Sequence, residues 1–350
     1  MKERVSLVAI VEKRIEVGTA SSQEAGKSQG SWAILDRVAG GAYEVPVLIV
    51  RGNSPGPVLW VNAGIHGDEY EGPVAAAQLF AELPPAELSG SIVVTPVINL
   101  PAFEAKTRTS PLDLQDLNRS FPGNPNGLPS QRIAHLILST MVEHADYVVD
   151  LHGGGLDKLI LPYASYYELA EAGRVAKELA EATGVDMLLG TPGDVIAGGT
   201  LAGALVKQGV PAITLESGAE GRLRDEYVDV HYAALTNVLR HLQMIPGSPA
   251  PPKRLIRAIN GQNLFIDRGG LIRYSVRPKD VVTMGDVIGE IFNLSGSLVE
   301  TLRAPHDGVI SLIKTSPAVS GGDRVATIAD LVQIDGDNDS TSERSGRNRD

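Results

Sequence analysis

The feature that most constrains the fold is a break in the hydrophobic pattern at a proline-rich segment. Before it, short apolar runs alternate with longer stretches whose apolar residues recur at helical spacing. This alternation predicts an α/β fold, in which a mixed sheet carries helices on both faces. Four prolines then fall between Pro246 and Pro252, and only short apolar runs between Gly, Asp and Pro follow. The second part therefore predicts a small all-β domain.

The break also predicts the domain limits. We expect an α/β domain over 1–245, a stiff proline-rich linker over 246–253 and an all-β, barrel-sandwich-like domain over 254–334. The remaining residues, 335–350, are polar and poor in apolar side chains, which predicts a disordered tail.

Two local patterns in the first part give more detailed predictions. The apolar runs Tyr43–Val50 and Val58–Ala63 are separated by Gly52–Gly56, which predicts a hairpin. Apolar spacing over Ser165–Thr183 predicts a long helix. Further helices are expected over Pro129–His144 and Asp225–Leu242.

Charge and composition narrow the class of protein. The chain of 350 residues has a formal net charge of −11, which argues against general nucleic-acid binding. It contains no apolar run long enough to cross a membrane, and the N-terminal run is too short for a signal peptide. We therefore expect a cytoplasmic protein without a nucleic-acid or membrane partner, and the sequence leaves open whether it forms a homo-oligomer. Because cysteine is absent, any transition-metal site must use His, Asp and Glu.

Three candidate metal ligands follow two of the apolar runs. His66 and Glu69 come just after Val58–Ala63, and His152 comes directly after Tyr147–Leu151. If the two predicted strands lie near one another, these side chains form a His₂Glu site with a fourth position for water, as in catalytic zinc sites. The alternative is two hydrogen-bonded histidines at strand ends and a surface glutamate.

A carboxylate and a loop of polar residues complete the set of candidate site residues. Glu216 is the last residue of a short apolar strand. Burial of a carboxylate there costs free energy, and a role as general base acting on metal-activated water would explain why it is buried. The alternative is a capping or ion-pair role for the next helix. Arg108 and Arg119 flank a Pro- and Asp-rich loop and suit a carboxylate or an oxyanion, and Asn118 suits a carboxylate or an amide. The alternative is a solvated basic loop.

The motifs that contain these residues resemble those of one protein family. The combined motif is similar to that of the succinylglutamate desuccinylase/aspartoacylase family, which is related to the zinc carboxypeptidases, and the resemblance covers roughly 40–330. Stretches within it are especially similar to the N-acetyl-diaminobutyrate deacetylase branch. The segments that carry the resemblance are His66–Glu69, Asp116–Arg119, Asp150–Gly153, the strand ending in Glu216, Gly67–Pro73 and Arg108–Gly123.

The resemblance implies a zinc carboxypeptidase-like fold and a zinc-dependent hydrolase with one Zn²⁺ per chain. The reaction it implies is cleavage of the amide bond of a small N-acylated amino acid. The implied roles are zinc binding by His66, Glu69 and His152, activation of water and protonation of the leaving amine by Glu216, polarisation of the acyl carbonyl by Arg108, binding of the amino acid's carboxylate by Asn118 and Arg119, and orientation of His66 by Asp116.

Two alternative functions remain open, a zinc carboxypeptidase acting on short peptides and a metal-binding relative without catalysis. Glu216 favours catalysis, because a non-catalytic relative has no need of a carboxylate at a strand end. The all-β domain is similar to biotinyl/lipoyl carrier domains, but the expected hairpin tip, Asn293–Glu300, has no lysine. We therefore expect it to act as a lid or packing element, which would close the open groove that a carboxypeptidase needs.

Overall fold

The computed structural model describes residues 14–193, 199–252 and 254–336. The helices are α1 (Glu71–Glu82), α2 (Leu100–Ala105), α3 (Pro129–His144), α4 (Ala170–Ala182), α5 (Leu201–Lys207) and α6 (Asp225–His241). The strands before the proline-rich segment are β1 (Ile15–Val17), β2 (Ala20–Ser22), β3 (Gly26–Asp36), β4 (Ala42–Arg51), β5 (Ser54–Ala63), β6 (Ser89–Thr95), β7 (Tyr147–His152), β8 (Lys158–Ile160), β9 (Tyr163–Glu168), β10 (Met187–Pro192) and β11 (Ala212–Glu216). The strands after it are β12 (Arg254–Phe265), β13 (Gly270–Tyr274), β14 (Val281–Val282), β15 (Val287–Phe292), β16 (Leu298–Arg303), β17 (Gly308–Lys314), β18 (Ala318–Val319) and β19 (Arg324–Gly336).

A mixed sheet dominates the molecule and confirms the predicted fold class. Its strand order is β14-β17-β19-β12-β10-β9-β11-β7-β5-β6-β4-β3, and β8 pairs with β17 beside this path. The central strands β11, β7, β5 and β6 are parallel to one another, whereas β4 and β3 extend the sheet in antiparallel pairing. A smaller antiparallel sheet, β16-β15-β13-β18, lies in the C-terminal part.

Helices cover both faces of the central sheet, because neighbouring residues of a strand point to opposite sides. In β5, Trp60 packs with α3 and α5 in one apolar cluster, and Leu59 and Val61 pack with α1, α4 and α6 in the other. All three side chains are fully buried. Each such burial stabilises the fold by about 1.5–3 kcal/mol, so the two clusters hold the central strands rigidly.

The predicted hairpin between β4 and β5 is wrong. Strand β6 lies between them, antiparallel to β4 and parallel to β5. The physical reason is burial: the last six residues of β5 and of β6 are all buried, so both strands need a neighbour on each side. The crossover through α1 supplies the parallel neighbour that a tight turn cannot.

The predicted helix Ser165–Thr183 begins too early. Residues Tyr163–Glu168 form β9, and α4 starts only at Ala170. Within β9, Ala164 and Tyr166 are buried and their neighbours are less so, which is the period of a strand. Strand β10, which pairs with β9 and β12, was also not predicted from the sequence.

The C-terminal part contains only strands within the described residues, as predicted. Its apolar cluster is formed by residues from both sheets. It is also continuous with the main sheet, since β12 pairs in parallel with β10. The limits 1–245, 246–253 and 254–334 remain predictions, and the predicted tail 335–350 lies outside the described residues except where β19 ends. No helix in the described ranges is long and apolar enough to span a membrane.

Candidate metal centre and active site

The candidate site lies where three neighbouring parallel strands end. Strands β5, β7 and β11 are adjacent, so their carboxyl ends meet at one edge of the sheet, the usual ligand edge of α/β folds. His152 is the last residue of β7 and Glu216 is the last residue of β11. His66 and Glu69 lie in the turn between β5 and α1. This adjacency is the condition on which the predicted His₂Glu site depended.

Three side chains converge beside this turn. The Nδ1 atom of His66 lies 2.8 Å from Oε1 of Glu69, and the Nδ1 atom of His152 lies 3.1 Å from Oε2 of the same carboxylate. The two Nδ1 atoms are 3.2 Å apart. All three side chains are buried. The structure thus brings His66, Glu69 and His152 into one cluster.

The cluster fits a zinc-class ion. Tetrahedral ligands at the usual 2.0–2.1 Å from zinc are about 3.3 Å apart, and the observed separations are close to this value. Two imidazoles and a carboxylate are also the ligand types and number of a catalytic rather than a structural zinc site. His66, Glu69 and His152 are therefore the residues that would hold the ion.

An aspartate holds the outer nitrogen of each histidine. Nε2 of His66 lies 3.2 Å from Oδ1 of Asp116, and Nε2 of His152 lies 2.9 Å from Oδ2 of Asp150. A proton on Nε2 that is donated to these carboxylates leaves the lone pair of each Nδ1 free for a metal. The family resemblance implied this role for Asp116, whereas Asp150 was not predicted to have one. The signal was present, since residues two apart on a strand share a face.

Protons would compete with a metal for the two imidazoles of the cluster. Burial opposes ionisation of Glu69, but the two histidines outweigh it and lower the pKa of this carboxyl well below its usual value. Burial likewise opposes protonation of both imidazoles, but the neighbouring carboxylates raise the pKa of His66 and of His152. Since metal ligands must be deprotonated, protons leave the imidazoles when a metal binds.

Glu216 and a tyrosine border the cluster. Glu216 pairs in register with His152 on one side and with Tyr163 of β9 on the other, so all three side chains share a face of the sheet. Burial, reinforced by the charge of Glu69, raises the pKa of the half-buried Glu216 carboxyl. Burial also raises the pKa of Tyr163, which keeps its hydroxyl protonated. Tyr163 could not be predicted from the sequence, because only the antiparallel β9–β11 pairing brings it beside Glu216.

The polar loop reaches the cluster through Arg108. Its guanidinium lies 3.1 Å from Oδ2 of Asp116 and 3.5 Å from Oε1 of Glu69. The backbone of this loop is held by Asp116, whose Oδ1 atom accepts the amide N–H of Asn118. Arg108 therefore contacts the Glu69 carboxylate and remains partly exposed.

Asn118 and Arg119 are placed differently. The Asn118 side chain is buried, with Nδ2 3.5 Å from Nε2 of His152, and its Oδ1 accepts the amide N–H of Leu201. Arg119 is exposed and donates to the carbonyl of Asn118 at 2.7 Å. Within the described part of the chain, no carboxylate forms an ion pair with Arg119, so its guanidinium is available for an external anion.

Comparison with known proteins identifies the class to which this fold belongs, the hydrolases that remove the acyl group from N-acyl amino acids. A family model for the succinylglutamate desuccinylase/aspartoacylase catalytic domain matches residues 55–242. The chain belongs to the succinylglutamate desuccinylase/aspartoacylase family. Family membership confirms the prediction of a deacylating enzyme.

Individual relatives agree with this assignment. N-alpha-acetyl-L-2,4-diaminobutyric acid deacetylase of Halomonas elongata is 32% identical over 306 residues, which is 85% of this chain and 89% of the relative. A succinylglutamate desuccinylase/aspartoacylase structure from Rhodobacter sphaeroides is 28% identical, with a TM-score of 0.80 and coverage of 89% and 97%. The product-bound ectoine utilization protein EutE (DoeB) from Ruegeria pomeroyi is 26% identical, with a TM-score of 0.80 and coverage of 88% and 96%.

Proposed function

We propose that this protein is a zinc-dependent deacylase that hydrolyses the amide bond of a small N-acylated amino acid, with one zinc ion held by His66, Glu69 and His152. The observation that carries the proposal is the convergence of these three donors beside the Glu216 carboxylate. A carboxylate that is half-buried next to a metal site has the position a general base needs.

The protein's own groups would share the chemistry as follows. When bound, the ion supplies Lewis acidity, which makes water nucleophilic near neutral pH and polarises an acyl carbonyl. Glu216 accepts a proton from the attacking water and then delivers it to the leaving amine, which its raised pKa favours. Arg108 donates to the acyl oxygen as negative charge develops there.

The amino-acid half of the substrate would be held by its carboxylate. Arg119 offers a planar guanidinium without a carboxylate partner among the described residues, and such a fork binds a carboxylate in bidentate fashion. Asn118 lies beside it at the cluster. The deacetylase from Halomonas elongata supports N-alpha-acetyl-L-2,4-diaminobutyrate as the first substrate to test.

The test is an assay of amine release by zinc-loaded protein on a panel of N-acyl amino acids and short peptides. We expect N-acetylated amino acids to be hydrolysed faster than peptides. His66→Ala and His152→Ala should lose both the bound equivalent of zinc and the activity. A full zinc equivalent in either variant would show that the metal site lies elsewhere. Faster release of C-terminal residues from peptides would identify a carboxypeptidase.

A further inference from the structure

The carboxylate of Glu216 depends on its backbone for its position. Among the described residues, no side chain donates a hydrogen bond to it, and only burial and the charges of its neighbours act on it. The chain continues from Glu216 into residues 217–219, which leave strand β11 and are buried. Whatever holds the 217–219 segment therefore also places the carboxylate.

A buried glutamate holds the end of this segment. Glu71 lies in the first turn of α1 and is only 2% exposed. Its Oε1 atom accepts the amide N–H of Ala219 at 3.4 Å. A Cβ atom at Gly218 would stand 2.7 Å from Oε2 of Glu71, and the φ of Gly218 is +143°, a conformation that suits glycine. The backbone of the segment thus lies directly against the Glu71 carboxylate.

A buried histidine holds the start of the segment. His231 of α6 is fully buried, and its Nε2 atom lies 2.9 Å from the carbonyl oxygen of Ser217. Because a carbonyl oxygen only accepts, Nε2 must carry a proton and donate it. Burial lowers the pKa of His231 to about 4, so the imidazole is neutral at neutral pH. Its one N–H is used on the residue that follows Glu216.

The same segment is joined to the metal cluster. The amide N–H of Ser217 donates to the carbonyl oxygen of His152 at 3.0 Å. The amide N–H of the next residue, Gly153, donates to Oε2 of Glu69 at 3.0 Å. Contacts to the 217–219 segment therefore fix the distance between the backbone of Glu216 and the three candidate metal ligands.

We propose that Glu71 and His231 are positioning residues, which hold Glu216 in place through the backbone of residues 217–219. The inference rests on the proposed function and deepens it, because it names what aligns the general base. Both side chains are buried beneath the site and touch no substrate. Alignment matters because a general base must lie within hydrogen-bond reach of its proton, and a displacement of about 1 Å can cost about 100-fold in rate.

The first test compares variants that remove each contact with variants that keep it. Glu71→Ala removes the acceptor, whereas Glu71→Gln keeps a carbonyl oxygen. His231→Leu removes the donor, whereas His231→Gln keeps a side-chain N–H. We expect the two removing variants to lower kcat about 10- to 100-fold, with KM for an N-acetyl amino acid within about threefold and a full zinc equivalent. Both Gln variants should keep kcat within about threefold of the wild type.

The decisive test repeats the removing variants in a protein that lacks the general base. In the Glu216→Gln background, Glu71→Ala and His231→Leu should lower the residual kcat by less than about threefold, because no base is left to misplace. If the losses multiply instead, the two residues do not act through Glu216.

A matched control removes a buried contact from the same helix. Asn237 of α6 is also buried and donates to the carbonyl oxygen of Thr183 at 3.0 Å, outside the site. Asn237→Leu should lower the thermal midpoint but leave kcat unchanged. Gly218→Ala tests the Glu71 contact without truncating a buried side chain, since its Cβ must displace the carboxylate, and it should lower kcat in the same range.

Hydrogen exchange gives a measurement that does not depend on activity. Amide exchange within residues 217–219, followed by mass spectrometry of the zinc-loaded, full-length protein, should become about tenfold faster or more in Glu71→Ala and in His231→Leu. It should not change in Asn237→Leu.

Several results would overturn the proposal: unchanged exchange at residues 217–219, unchanged kcat, loss of zinc that accounts for the loss of activity, or an equal fall of kcat in Asn237→Leu. Gln variants that are no better than the removing variants would also overturn it. If the wild type hydrolyses no N-acyl amino acid, the proposed function fails, and hydrogen exchange still decides whether Glu71 and His231 hold the segment.

Discussion

At the scale of single residues, the site depends on which atom each side chain presents. Both histidines turn Nδ1 towards the shared carboxylate of Glu69, because aspartates hold their Nε2 atoms. Asp150 also accepts the side-chain amide of Asn62 at 2.7 Å, and Asn62 accepts the hydroxyl of Thr95 at 2.8 Å. A buried polar chain of this kind fixes the orientation of the His152 ring before any ligand binds.

The first prediction concerns Glu216. Glu216→Gln removes the proton acceptor but keeps the shape of the side chain, so it should keep the bound metal and lower kcat by about 10²- to 10⁴-fold. Steady-state kinetics and metal analysis of the purified variant measure both quantities. Glu226→Gln, which changes an exposed acid on α6, is the control and should retain full activity. A loss of less than tenfold in Glu216→Gln would exclude the residue as the general base.

At the scale of elements, the turn between β5 and α1 is pressed against α2. A Cβ atom at Gly67 would lie 2.0 Å from the carbonyl oxygen of Ala102. The amide of Gly67 also donates to Thr107 O at 3.0 Å. Since backbone rather than a flexible side chain stands in the way, the turn that carries His66 and Glu69 tolerates no side chain at this position.

The second prediction follows from this contact. Gly67→Ala should lower the free energy of unfolding by about 1–3 kcal/mol, because the turn or α2 must shift. It should also weaken zinc binding by about tenfold, since displaced ligands lose their orientation. Denaturant unfolding and chelator competition measure the two effects. In Gly261→Ala, the new Cβ would meet only the Thr327 side chain at 3.2 Å, so this control should change neither. Unaltered zinc affinity in Gly67→Ala would refute the argument.

At the scale of the whole molecule, the candidate metal site depends on folding. The three donors come from two segments, His66–Glu69 and His152, which meet only when β5 and β7 pair. The unfolded chain has no cysteine to bind zinc in their place. The native state should therefore bind the ion far more tightly than the unfolded state.

The third prediction is that zinc stabilises the native protein. At a free zinc concentration of 100 times Kd, the free energy of unfolding should rise by about 2.7 kcal/mol over that in chelator. Urea unfolding curves with zinc and with chelator measure the difference. His152→Ala should show almost none of it. An equal rise in wild type and His152→Ala would mean that zinc stabilises the fold from another site.

The sequence by itself determined the features that depend on neighbours along the chain. Helix α3 begins and ends where its pattern predicts, at Pro129 and His144. The break in periodicity near Pro246 also separated the α/β part from the all-β part, because side-chain period follows local backbone geometry. The motifs around His66, His152 and Glu216 were visible for the same reason, since each lies within a few residues of an apolar run that ends.

Only the tertiary structure decided which of these segments meet. Three arrangements involve partners distant in sequence: strand β6 between β4 and β5, the β7–β5 adjacency that joins His66 to His152, and the pairing of β17 with β8. Local pattern cannot specify such pairs, because an apolar strand fits beside any other apolar strand of suitable length. The choice among them depends on burial summed over the whole core, so the site is assembled only when that core is formed.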